Sequence, residues 1–197
     1  RRTFLVRSQQ QIHRLASIVQ DLLQLSRLDT GYSPDSDKTL VLSDVVHQVH
    51  LTKITDAEMK QVQLICDTSP ECQQHSIQGR ADDLALMLSN LIDNAIKYSD
   101  HGGTVSLTLT MNGEGLIQFN VTDQGVGIPA EEHDKIFERF YRVDPARSRN
   151  KGGTGLGLSI VKHVVERYQG RIKLVSRPGQ GASFSVTFPI LQSDPTR

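Results

Sequence analysis

Asn90-Leu91-Ile92-Asp93-Asn94-Ala95-Ile96-Lys97-Tyr98 ends a stretch whose spacing predicts an amphipathic helix over residues 81–98. Leu84, Met87, Leu88, Leu91 and Ala95 recur at three- and four-residue intervals and form its buried face. Asn90, Asn94 and Lys97 stand at i, i+4 and i+7, so they share another face. Asparagine is mildly unfavourable inside a helix, and two of them ask for a reason. A solvated helix face is the plain one, since Asn and Lys are common there. The chemical alternative is specific. An amide oxygen is a hard, neutral ligand suited to Mg²⁺, which keeps several waters and shares phosphate oxygens. Lys97 adds a point charge for a phosphate, and Tyr98 a flat ring for a purine.

Two glycine clusters follow. Asp123-Gln124-Gly125-Val126-Gly127-Ile128-Pro129 comes directly after a strand-like run. A carboxylate at a strand end can accept a hydrogen bond from an exocyclic amine such as that of adenine. Gly125 and Gly127 let the backbone turn sharply and approach a base, and Ile128 can line the apolar side. Asp-x-Gly is also common in ordinary turns. Gly153-Thr154-Gly155-Leu156-Gly157-Leu158 opens a second amphipathic helix. Such a turn presents free backbone N–H groups and a positive dipole end, which suits a polyphosphate. It is not a P-loop, because no Gly-Lys-Ser/Thr follows, and it fits a dinucleotide fingerprint poorly because no strand immediately precedes it. Protein-kinase signatures of the eukaryotic type are absent. Each element suits a different piece of one ligand, a metal-bound nucleoside triphosphate.

Around these motifs the chain divides by pattern. Residues 5–28 carry a heptad-like stripe through Leu5, Ile12, Leu15, Val19 and Leu22, widened by Ile18 and Leu25. Residues 1–30 read as an oligomerising helix whose partner is missing; packing on its own domain is the simpler alternative. Residues 31–38, with Gly31, Ser33, Pro34 and Asp35, read as a linker, residues 39–191 as one domain, and 192–197 as a tail. Within the domain, strands are predicted at 39–42, 62–66, 76–78, 104–110, 116–122, 171–176 and 182–188. Helices are predicted at 43–59 with Ser43 as N-cap, at 131–137 and at 156–168. Strands and helices interleave, yet the last strands are hairpin-linked. That predicts an α/β chain built as an α+β two-layer sandwich, a mixed sheet covered by helices on one face and preceded by one long N-terminal helix.

Bulk properties exclude more than they assign. Lys plus Arg total 22 and Asp plus Glu total 22, so no basic stripe points to nucleic acid or to an anionic membrane surface. No apolar run is long enough to span a bilayer. Cys66 and Cys72 read as reduced cysteines of a cytoplasmic protein. The chain starts at Arg1 rather than Met and reads as a piece of something longer.

The motif order resembles the N, G1, F, G2 and G3 boxes of the ATP-binding domain of bacterial sensor histidine kinases. Ile136-Phe137-Glu138-Arg139-Phe140-Tyr141-Arg142 resembles the F box and Gly179-Gln180-Gly181-Ala182-Ser183-Phe184 the G3 box. Residues 18–29 resemble the second helix of the family's dimerisation hairpin. The resemblance implies the Bergerat-type ATP-binding fold shared with gyrase, heat-shock chaperones of the ninety-kilodalton class and mismatch-repair proteins. It implies ATP and Mg²⁺ as cofactors, with Asn90 and Asn94 holding the metal and phosphate oxygens, Lys97 on phosphate and Tyr98 beside the nucleoside. Asp123 would read the adenine amine, while Gly125, Gly127 and Ile128 shape the base pocket. Arg142, with Arg147, Arg149 or Lys151 in a lid, would neutralise the γ-phosphate, and Thr154 to Leu158 would cradle the phosphates. It implies a homodimer in the full-length protein, a response-regulator receiver domain as partner, and membrane contact only through an upstream segment. The alternatives are a nucleotide-binding regulator without transfer and an ATP hydrolase of the same fold. The hydrolases resemble one another in having Glu one turn before the second Asn; here that residue is Asn90, and an amide cannot act as a general base.

One departure stands out. The family's acceptor motif is His followed by an acid, then by Thr or Asn and Pro. None of the seven histidines fits it, not even His133, which is followed by Asp134. The hairpin's first helix reads as absent. His13 reads as a bundle-facing or exposed side chain, and His47 and His50 as a solvated pair.

Overall fold

The computed structural model describes residues 2–30, 38–143 and 153–191. The side chains of Leu5 and His13, the linker through residue 37, the lid residues Arg147, Arg149 and Lys151, and the tail lie outside the described residues.

Period-two alternation builds the main sheet. β2 (Gln63–Thr68), β4 (Thr104–Met111), β5 (Ile117–Asp123), β7 (Ala182–Phe188) and β6 (Arg171–Ser176) lie in the order β2-β4-β5-β7-β6. β2 pairs β4 in parallel and every other pair is antiparallel. The register sets apolar rows across the strands: Leu107 opposite Val121 opposite Phe184, and Leu109 opposite Phe119 opposite Val186. All six are buried. The opposite face is polar and bonded to itself, with Asn120 Nδ2 donating to Thr108 Oγ1 at 3.1 Å and Gln118 Nε2 to Asn120 Oδ1 at 2.9 Å. One face buried and one wet is what antiparallel pairing permits.

Helices cover the apolar face. α3 (Ala81–Tyr98) lies between α2 (Leu42–Met59) and α4 (Gly157–Arg167) and turns Leu84, Met87, Leu88, Leu91 and Ala95 inward, the face its spacing predicts. A separate antiparallel pair, β1 (Lys38–Val41) with β3 (Ser76–Gly79), sits outside the main sheet.

Three expectations change. Ser43 is not the N-cap of α2: the helix starts at Leu42 behind Val41, with no side-chain cap, and Ser43 is buried. The enclosed Leu42, Val45 and Val46 set where this helix begins, so packing overrides capping chemistry. Residues 131–137 form two short 3₁₀ turns, Ala130–Glu132 and Lys135–Phe137, because only Ile136 there is buried and a single anchor does not hold a continuous helix. His47 and His50 are not a solvated pair. His47 is exposed, but His50 is half-buried and its Nε2 is enclosed without a hydrogen-bond partner.

α1 (Arg2–Thr30) meets the domain through its last turns. Leu25 and Leu28 join the common core, and Arg167 Nη1 donates to the Leu28 carbonyl at 3.4 Å. Asp29 lies 3.5 Å from His163 and 3.8 Å from Arg139. The stripe nearer the start stays exposed, with Ile12 at 65% and Leu15 at 62%. The last turns of this helix thus pack on their own domain, while the stripe nearer its start is left uncovered.

A buried polar knot ties the start of α3 to the end of α4. The Tyr168 hydroxyl donates to Asp83 Oδ2 at 2.7 Å and accepts the Arg80 N–H at 3.2 Å, while Arg167 lies 3.4 Å from the same carboxylate. Burial and the Asp83 carboxylate push the Tyr168 hydroxyl far above its ordinary pKa, so it stays a donor. Tyr168→Phe would leave both partners short of a bond and should cost about 1–3 kcal/mol, measured by urea unfolding.

Candidate functional site

The C-terminal half of α3, the turn after β5 and the glycine loop that opens α4 converge on one cavity of about 530 Å³. α3 supplies Asn90, Asn94, Lys97 and Tyr98; the β5 turn supplies Asp123, Gly127 and Ile128; the glycine loop supplies Thr154, Gly155, Gly157 and Leu158. Arg142 lines the cavity as well. Gly125 and Leu156 do not line it. Gly125 is buried against the end of α3, and the Leu156 side chain is in the core, fully enclosed. Both hold the loops in place instead.

The β5 turn is shaped by close backbone approach. A Cβ on Gly125 would overlap the Tyr98 carbonyl, and one on Gly127, at φ 68°, would overlap the Arg177 carbonyl. Only glycine meets both demands at Gly127. The 178–181 turn is stitched on by Gly179 N–H to the Val126 carbonyl at 2.8 Å and Gly181 N–H to the Gly125 carbonyl at 2.9 Å. The Asp123 carboxylate accepts the Gly125 N–H at 2.8 Å. Burial raises its pKa; the Gly125 and Ala182 amides and the Lys60 ammonium pull it back.

On α3, Asn90 spends its Nδ2 on the Leu86 carbonyl at 2.9 Å. Its Oδ1 faces the start of α4, where a Cβ on Gly157 would lie 2.6 Å from it. A neutral oxygen thus points at the positive end of a helix. The Lys97 ammonium lies against Gly153 and 5.2 Å from the Tyr98 ring centre. Among the described residues no three His, Cys, Asp or Glu side chains gather to hold a metal. A cation here would rest on amide oxygens and on its ligand's own oxygens, a donor set that fits Mg²⁺.

Several contributors escape sequence reasoning. Ile136, Ala182 and Phe184 give the cavity apolar walls from inside quoted motifs that had been assigned no role for them. Tyr141 lines the mouth and donates to Glu132, a bond that pushes its hydroxyl up to about 12. Asp21 reaches in from α1 and accepts the Thr154 hydroxyl at 2.5 Å, while that hydroxyl accepts the Leu156 N–H at 3.2 Å. No local pattern pairs residues so far apart.

Known proteins resemble this chain. The sensor-like histidine kinase SenX3 of Mycolicibacterium smegmatis is 41% identical over 178 residues, 90% of this chain and 45% of that protein. The sensor histidine kinase WalK of Bacillus subtilis is 36% identical over 191 residues, 94% of this chain and 30% of that one. The chain therefore spans less than half the length of these relatives. Among solved structures, full-length ShkA in complex with AMPPNP superposes with a TM-score of 0.77 at 27% identity, over 98% of this chain and 39% of that one. Residues 79–192 match the family described as histidine kinase-, DNA gyrase B- and HSP90-like ATPases, and the chain belongs to that family.

Proposed function

We propose that this chain is the ATP-binding catalytic region of a sensor histidine kinase, passing the ATP γ-phosphoryl to a histidine for relay to a response-regulator aspartate. The observation that carries the reading is Asn90. Its amide oxygen faces the glycine loop from the position where a hydrolase of this fold would need a carboxylate to activate water. Transfer asks the protein for positioning and charge neutralisation, and the cavity is built for both. Asp123 takes the adenine amine, with Ile128 and Tyr98 beside the base. Lys97 and Arg142 offset phosphate charge, and the α4 N-terminus adds its free amides and dipole. When bound, Mg²⁺ supplies charge neutralisation and a fixed orientation of phosphate oxygens, and Asn90 and Asn94 are the residues that would hold it.

Residues 1–30 then serve as the second helix of a dimerisation hairpin, with the exposed stripe around Ile12, Leu15 and Val19 as the face for a homodimeric bundle. No helix among the described residues is long and apolar enough to cross a membrane. A cytoplasmic position facing a receiver domain suits this reading, which the names of the relatives support.

Incubation with γ-labelled ATP separates the alternatives. The chain alone should take up no acid-labile label and release phosphate slowly. A supplied acceptor-histidine hairpin of a related kinase should become labelled. Rapid phosphate release without transfer would favour hydrolysis, and binding with neither would favour a regulatory module. Asp123→Asn should weaken adenine nucleotide binding by about 1.5–3 kcal/mol, the range for a hydrogen bond to a charged group, as read by calorimetry. Asn94→Asp should weaken it comparably by setting a like charge beside the phosphates; unchanged affinity in both would overturn the assignment of roles.

A further inference from the structure

Lys60 belongs to none of the motifs and does not line the cavity, yet its position ties the site together. It is the C-cap residue of α2, half-buried, and is followed by Gln61 at φ 57°. Its ammonium donates to the Ile96 carbonyl at 2.5 Å and to the Lys97 carbonyl. These belong to the last turn of α3, where carbonyls lack helical partners and the dipole is negative, so a cation is favourable there. The next carbonyl, that of Tyr98, abuts Gly125, whose N–H holds the Asp123 carboxylate at 2.8 Å. A continuous set of contacts runs from Lys60 through the end of α3 to the base-reading acid.

We infer that Lys60 is a positioning residue for base recognition: by holding the last carbonyls of α3 it fixes the helix end whose Tyr98 carbonyl abuts the β5 turn that carries Asp123. The proposal rests on Asp123 as the reader of the adenine amine. Charged and titratable side chains around the same cavity include Asp21, Asp93, Lys97, Tyr98, Tyr141 and Arg142. Burial raises the Asp123 pKa; the Gly125 and Ala182 amides and then the Lys60 charge lower it. Burial favours the neutral acid, which cannot accept at both oxygens; Lys60 favours the carboxylate.

The sign of the effect follows. Only ionised Asp123 accepts fully from the amine, so nucleotide binding strengthens as pH rises through its pKa. Removing Lys60 moves that pKa further up. The binding defect should therefore be largest in mild acid and shrink as pH increases. Lys60→Met, with Lys60→Gln as a second variant should the first not fold, is compared with the parent chain by calorimetric titration of ADP from mildly acid to mildly basic pH. The phosphate's own titration is common to all variants and cancels in the ratio. The expected result is about tenfold weaker binding near neutral pH, a wider gap in acid, and recovery to within about twofold in Lys60→Arg, which keeps the charge and donors. Parent-like affinity across the range in Lys60→Met overturns the inference. So does a loss of equal size at every pH that Arg does not recover, which would make Lys60 a structural brace. Asp123→Asn is titrated in parallel. If it binds ADP like the parent, the base-reading role itself fails; if it weakens binding while Lys60→Met does not, only the inference about Lys60 fails.

Discussion

Backbone touches backbone where the end of α3 meets the turn after β5, and the rest of the site depends on that contact. The Tyr98 carbonyl occupies the space that a Cβ on Gly125 would need. Interiors pack at crystal density, so a methyl group placed there must displace either the helix or the turn. With both fixed, the Gly125 N–H points at Asp123 Oδ1, and the 178–181 turn closes over the same strand end through Gly179 and Gly181. The acid is thereby aimed by main chain, which has few rotamers to lose. Lys97 and Tyr98, as the final residues of that helix, are placed by the same contact.

The second half of the site is arranged by an opposition of charge types. α4 begins at Gly157 with the positive end of its dipole facing the cavity, and the group across from it on α3 is an uncharged amide oxygen. A carboxylate there would interact more strongly with the dipole, but it would also repel a polyphosphate and could take a proton from water. The amide does neither. At the β5 turn the acid is Asp123, where two amides and Lys60 oppose the burial that raises its pKa. One cavity thus brings together a carboxylate at the β5 turn and, on α3 and at the start of α4, amides, a lysine and a helix N-terminus.

The sequence showed α3, β6 and β7 with their bounds because each has a clean period over its whole length, and amphipathic repetition is the strongest local signal. The cavity residues on α3 and in the two glycine loops were legible for a related reason: each lies within a few residues of its partners in function. What escaped was long-range. The pairing of β1 with β3 as a sheet of their own depends on the 3₁₀ segment Pro70–Gln74 between β2 and β3, which no periodicity marks. Ser43 looked like a cap because capping is a local rule, and the burial of Leu42 overrode it. Lys60 reads as an ordinary charged residue at the end of a helix; its role needs the end of another helix, 36 residues further on.

Asp21 carries the same lesson to the relation between α1 and the domain. Its carboxylate accepts from Thr154, in the loop whose free amides and helix dipole suit anions. An acid at that point already takes up one donor of the loop, and a second negative group brought beside it would be repelled. Leu25 and Leu28 hold the same helix by burial in the core, and Asp29 faces His163 and Arg139 beyond them. Burial is indifferent to charge, whereas the Asp21 contact is not. One end of this interface is therefore held by apolar burial and the other by a hydrogen bond to a carboxylate. α1 thus reaches the cavity through Asp21 as well as the core through its last turns.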